Sequence, residues 1–156
     1  MGQIFPKSKY RYFHCDKFWL YGNIIDSTVR NSFIHNTFED DALFKQISFF
    51  LNNKSTYVDV GANYGLHAMG VISLNQKKEI KTHLIEPNSD CISCLKKTVK
   101  RNSLDNVYLH EIALKSLPKN NLGDVSLRNE LVRNSVVACS TLGLRSGNRD
   151  CALPLW

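Results

Sequence analysis

Between residues 37 and 113 the apolar positions alternate between two rhythms, helical spacing and short β-branched runs, and the change from one to the other marks the elements. Thr37 supplies a capping hydroxyl with Asp40 three positions on, and Leu43, Ile47, Phe50 and Leu51 follow at helical spacing, which predicts an amphipathic helix ending near Asn53. Thr56-Tyr57-Val58-Asp59-Val60 is a compact run halted by Gly61 and predicts a buried strand. Residues 64–74 are apolar on nearly every side, as for a helix held between a sheet and other protein. Lys81 to Ile85 predicts a second strand, closed by Glu86-Pro87-Asn88, since proline cannot continue a ladder and Asn88 or Ser89 can cap the next helix. That helix reaches about Asn102, with Ile92, Leu95 and Val99 on one face and Lys96, Lys97, Lys100 and Arg101 on the rest. A third strand over residues 107–113 follows the Asp105-Asn106 turn. A βαβαβ order with short connections predicts parallel strands joined by right-handed crossovers.

The flanks read differently. Residues 1–36 mix Tyr10, Tyr12, Phe13, Phe18, Trp19 and Tyr21 with charges, and FWLYGNIID fits a short strand or hairpin, so an N-terminal elaboration packed on the main sheet is expected. Beyond Leu114 turn residues dominate; Val125-Ser126-Leu127 and Val136-Val137-Ala138-Cys139 are short strand candidates, without a fourth strand–helix unit. Two regions are therefore expected, an elaboration over 1–36 and an α/β domain over 37–156.

Charge and composition narrow the function classes only a little. The net charge of +6 suits an anionic partner, but the 20 basic residues are spread along the chain, and the basic residues of the last helix are expected to be a solvated face, with no nucleic-acid partner. Five cysteines in no dense pattern fit free thiols in a reducing, cytoplasmic setting better than a disulfide framework. Cys91 and Cys94 form C-x-x-C, yet no second Cys or His pair follows at finger spacing, so buried thiols and no metal site are expected. No apolar run is long enough to span a membrane or serve as a leader, and Pro6 breaks the myristoylation pattern that Gly2 begins.

The chemistry concentrates at the first strand–helix turn. Gly61 and Gly65 let main chain approach a nucleotide-like cofactor at the carboxyl edge of a parallel sheet, and Glu86 at the end of the second strand can accept hydrogen bonds from both ribose hydroxyls. The turn reads Gly-Ala-Asn-Tyr-Gly rather than G-x-G-x-x-G, so a dinucleotide pyrophosphate cradle is not spelled. Asp59 would repel a pyrophosphate but could orient an ammonium group, which favours S-adenosylmethionine over NAD. His67, just after the turn, is expected to pack rather than to catalyse.

Val58-Asp59-Val60-Gly61-Ala62-Asn63-Tyr64-Gly65, then Ile85-Glu86-Pro87-Asn88, then Ala113-Leu114, resembles the FkbM family of S-adenosylmethionine-dependent methyltransferases, over roughly residues 37 to 117. The resemblance implies a Rossmann-like methyltransferase domain, of which the chain holds a half-sheet of three parallel strands with flanking helices, the C-terminal short strands being read from the residues themselves. It also implies methyl transfer to an oxygen of a sugar or other small-molecule acceptor. It assigns Asp59, Gly61, Asn63 and Gly65 to the methionine portion of the cofactor, Glu86 to the ribose, Asn88 and Ala113 to the adenosine, and Glu39 to a further cofactor contact. No catalytic base is implied by the residues present. The family pattern normally continues from a segment like Leu153-Pro154-Leu155-Trp156 into further strands, so the chain reads as interrupted there. An interrupted sheet would leave the first strand as an exposed edge, open to self-association, and a non-catalytic binding fragment is the rival reading.

Overall fold

The structure, a computed structural model, describes residues 8–38, 41–113 and, as main chain, 135–139. It opens with a β-hairpin, β1 (Tyr10–Cys15) and β2 (Phe18–Asn23), followed by helices α1 (Ser27–His35) and α2 (Asp41–Phe50). Then come β3 (Thr56–Val60), α3 (Leu66–Leu74), β4 (Lys81–Ile85), α4 (Ser89–Arg101), β5 (Val107–His110) and β6 (Ser135–Cys139).

The alternation of β-branched runs with helical stretches does build a parallel sheet. β3 pairs with β4 and β4 with β5, all parallel, as the predicted half-sheet requires. The sheet then gains a strand: β6 pairs parallel with the other side of β3, giving the order β5-β4-β3-β6. β3 is therefore an interior strand, correcting the expectation that it forms an exposed edge; among the described residues the edges are β5 and β6. Val136 to Cys139 is short and apolar, so it reads as a strand locally, but nothing in those residues names β3 as its partner.

One sheet face carries Tyr57, Asp59, Thr82 and Leu84, all fully buried. Right-handed crossovers place α3 and α4 on a common side, and Ala68, Met69, Val71, Ile92 and Leu95 share one core with Tyr57 and Leu84. α3 buries residues all round, including Ala68, Met69, Val71 and Ser73, because α2 covers its outer side. The contact is close at Gly70, where an added Cβ would lie 2.5 Å from the Phe44 ring. This fixes the phase of α2: Phe44, Ile47 and Leu51 are buried, whereas Leu43 and Phe50 of the predicted stripe face outward. The helix begins at Asp41 rather than at a Thr37 cap, and Glu39 and Asp40 lie outside the described residues.

The hairpin follows strict alternation. Phe13, Cys15, Phe18, Leu20 and Gly22 point inward and are buried, while Tyr12, His14 and Trp19 point outward. Its main chain is anchored on α4 rather than on the sheet: Trp19 N donates to Asn102 Oδ1 (2.9 Å), Asn102 Nδ2 donates to Trp19 O (2.6 Å), and Tyr21 N donates to Thr98 Oγ1 (2.9 Å). α1, which the periodicity does not predict, is capped by Asp26, whose Oδ1 accepts from Thr28 N at 3.0 Å and Val29 N at 3.3 Å. No helix among the described residues is long and apolar enough to cross a membrane.

Candidate functional site

The site forms where β3 and β4 end together, with Val60 in register with Ile85. The chain must turn sharply after Val60, and Gly61 allows it with a φ of 76°, a left-handed value that costs glycine little. Gly61 N and Ala62 N both donate to Ile85 O, at 2.8 and 3.1 Å, which straps the turn to the end of β4. Asn63 also takes a left-handed conformation, with a φ of 50°, as asparagine does more readily than most residues. Gly65, φ 82°, opens α3, and an added Cβ there would meet Leu95 Cδ2 at 2.6 Å.

Glu86 follows β4 directly and is 7% exposed. Its Oε2 accepts from Asn63 N at 2.8 Å and its Oε1 from Asn88 N at 2.9 Å, so two main-chain donors hold the carboxylate against the glycine turn. A carboxylate offers about four acceptor positions, so each oxygen keeps capacity for one further donor. That is the demand of a vicinal ribose diol. Glu86 N donates to His110 O at 3.0 Å, tying the position to β5 as well.

Asn88 is the N-cap of α4, and its Oδ1 accepts from Asp90 N at 2.9 Å. Its side chain is thus committed to the helix while its main-chain N–H orients Glu86. Asp59 stands at the same carboxyl edge, one residue inside the end of β3, and is fully buried. Burial, reinforced by the Asp59 charge, pushes the Tyr57 phenol far above its ordinary range. Ala113 is exposed, three residues past a strand that ends at His110 rather than at 113. Glu39 falls outside the described residues. The structure therefore gathers Asp59, Gly61, Asn63, Gly65, Glu86 and Asn88 at one edge of the sheet, with Ala113 beyond the neighbouring strand.

Cys91, read from the sequence only as a buried thiol, has a definite contact: its Sγ donates to Asn63 Oδ1 at 3.2 Å. Burial, with the nearby Glu86 charge, pushes this thiol up to about 11, so it stays protonated and able to donate. Burial also raises Cys94. Both are free thiols, and no group of metal-ligating side chains occurs among the described residues. His67 packs its ring 6.0 Å from that of Phe44. A cavity of about 310 Å³ lined by Phe18, Asn75, Ile80, Thr82 and Leu104 lies at the amino end of the sheet, opposite the glycine turn.

No family model matches the chain, and no curated protein matches it. Solved structures do. TYW2 of M. jannaschii, in complex with AdoMet, superposes with a TM-score of 0.50 at 16% identity, over 70% of this chain and 47% of that one. TYW2 of P. horikoshii, in complex with MeSAdo, superposes with a TM-score of 0.51 at 9% identity, over 74% of this chain and 40% of that one. The chain thus spans under half the length of these proteins. At such identities the likeness speaks for the fold alone, which is α/β and Rossmann-like.

Proposed function

We propose that the chain binds S-adenosylmethionine at the β3–β4 edge and serves methyl transfer to an acceptor oxygen, in the manner of the FkbM family its motifs resemble. The observation that carries this reading is Glu86, a buried carboxylate fixed by Asn63 N and Asn88 N beside a left-handed glycine turn. Such a carboxylate suits a ribose, and the turn suits close main-chain approach. The ligand supplies a methyl group activated on a sulfonium. The protein's own part is orientation: Glu86 for the ribose hydroxyls, the turn from Gly61 to Gly65 for the amino-acid portion, and Asp59 for the charge of its ammonium group. Asn88 and the Ala113 region would border the adenosine, and Glu39 is a further candidate contact. In-line displacement depends mainly on such positioning. The acceptor class that fits the resemblance is a hydroxyl on a sugar or another small molecule.

The test is calorimetric titration of the purified protein with S-adenosylmethionine and, separately, with NAD. Saturable binding of the first and none of the second is expected. Glu86→Gln should weaken it by about 10- to 100-fold, the range for hydrogen bonds to a charged group. NAD binding alone, or undiminished affinity in Glu86→Gln, would remove the support for this reading. Transfer of labelled methyl into an acceptor pool separates an enzyme from a module that only binds.

A further inference from the structure

The outward face of the hairpin is a row of rings. Tyr12 stands opposite Tyr21 with centroids 4.8 Å apart, His14 opposite Trp19 at 5.3 Å, and Tyr10 lies stacked at 6.3 Å from Tyr21. Two of these rings are open to solvent, Tyr12 at 44% and Trp19 at 40% exposed. Cations accompany them. Lys97 Nζ sits 4.0 Å from the centre of Tyr21, Arg101 lies over Trp19 at 5.5 Å, and Lys9 over Tyr10 at 5.3 Å.

The Lys97 and Arg101 contacts come from α4, whose sequence carries Lys96, Lys97, Lys100 and Arg101 against a single acid, Asp90, in the first turn. Neither hairpin strand contains an acid. The hydrogen bonds of Trp19 to Asn102 and of Tyr21 to Thr98 hold the ring row alongside the helix. The row begins near the C-terminal end of α4 and ends at Tyr10, on the hairpin end whose Gly22 lies beside Tyr64 of the glycine turn. With 13 residues, α4 is about 20 Å long at roughly 1.5 Å per residue. The ring row beside it is shorter, four strand steps from Trp19 to the level of Tyr10, about 13 Å at roughly 3.3 Å per residue, and it leads toward the proposed methyl-donor site.

We infer that this strip is a docking surface for single-stranded nucleic acid, with bases stacked on Tyr12, Trp19 and their neighbours and phosphates met by Lys97, Arg101 and the adjoining lysines. Flat aromatic faces interleaved with cations are what a flexible, polyanionic strand with exposed π-faces requires. Read from charge alone, the α4 cations are a solvated face; it is the hairpin rings placed beside them that give the face a ligand chemistry. The inference stands apart from the cofactor reading, because binding is measured without cofactor.

The experiment is fluorescence anisotropy with labelled short oligouridylate and oligothymidylate, and with a duplex of the same length, across a series of salt concentrations. Saturable binding of single strands in preference to duplex is expected. Tyr12→Ala with Trp19→Ala should weaken it by about 10-fold or more, the range for loss of stacking. Lys97→Gln with Arg101→Gln should lower the salt slope by about 1.4, at roughly 0.7 per phosphate on a single strand. In a Trp156→Phe background Trp19 is the remaining one of the chain's two tryptophans, so quenching of its fluorescence by oligouridylate reads stacking without disturbing the strip. Absence of single-strand binding at low salt, equal affinity of the ring variant, or an unquenched Trp19 would each overturn the proposal. Calorimetry of the same variants with S-adenosylmethionine reports on the cofactor site independently.

Discussion

At the residue scale Gly65 is constrained twice over, by a left-handed φ of 82° and by the nearness of Leu95. A methyl group there meets both obstacles at once. Gly65→Ala should destabilise the protein by about 1–3 kcal/mol, measured as a lower urea midpoint with an unchanged m-value. Gly22→Ala, whose Cβ would lie 3.1 Å from Val29 Cγ1 without any left-handed requirement, should cost less. The placing of Gly61, Gly65 and Glu86 around one strand–helix turn was legible in the sequence, because a strand run halted by glycine and a second one halted by Glu-Pro both mark strand ends. The donors that hold Glu86 were not legible. They are the main-chain N–H groups of Asn63 and Asn88, whose direction depends on φ and ψ rather than on residue type. The Cys91 contact with Asn63 was hidden for the same reason, since it depends on where the turn carries the amide.

At the scale of elements, α2 and α3 meet through Phe44 on Gly70, a large residue over a missing side chain. Gly70→Ala should push the ring away and lower stability by about 1–3 kcal/mol. Combining it with Phe44→Leu should recover part of that loss, a coupling readable in a double-mutant cycle of denaturation midpoints. β3, β4 and α4 could be read directly, down to the Asn88 cap, because each has an unambiguous period and a local stop signal. The phase of α2 could not. Leu43 and Phe50 fit a helical stripe as well as Phe44 does, and the choice is made by Gly70 on another helix. α1 had a usable signal in Asp26-Ser27 ahead of Val29, but its few apolar residues obscured it. β6 was recognisable as a strand, whereas its pairing with β3 follows from no local pattern.

For the whole molecule, the sheet face opposite α3 and α4 carries His83, Tyr108 and His110 as a stacked set. His83 Nδ1 lies 2.9 Å from His110 Nε2, and the His83 ring is 4.9 Å from that of Tyr108. Burial lowers the His83 pKa from its ordinary 6.5, helped by His110 and by Lys81 on the same strand. The unfolded chain therefore binds this proton more readily than the folded one. The contribution of neutral His83 is intact above the ordinary value of 6.5 and is lost as pH falls toward the lowered folded pKa. Thermal midpoints should fall as pH drops below about 6.5, and His83→Gln should flatten that part of the profile. The expectation of self-association through a bare β3 edge no longer applies, since β4 and β6 flank that strand.

The clamp between Trp19 and Asn102 joins residues 83 apart in sequence. During synthesis at about 5–20 residues per second, the hairpin leaves the ribosome on the order of 4–17 seconds before the helix that holds it. A lone two-stranded hairpin is marginal in water, and through that interval α1, packed on it through Val29 and Phe33, is the early support it has. The β2 side of the hairpin is thus secured only once α4 has emerged, well after the hairpin itself is made.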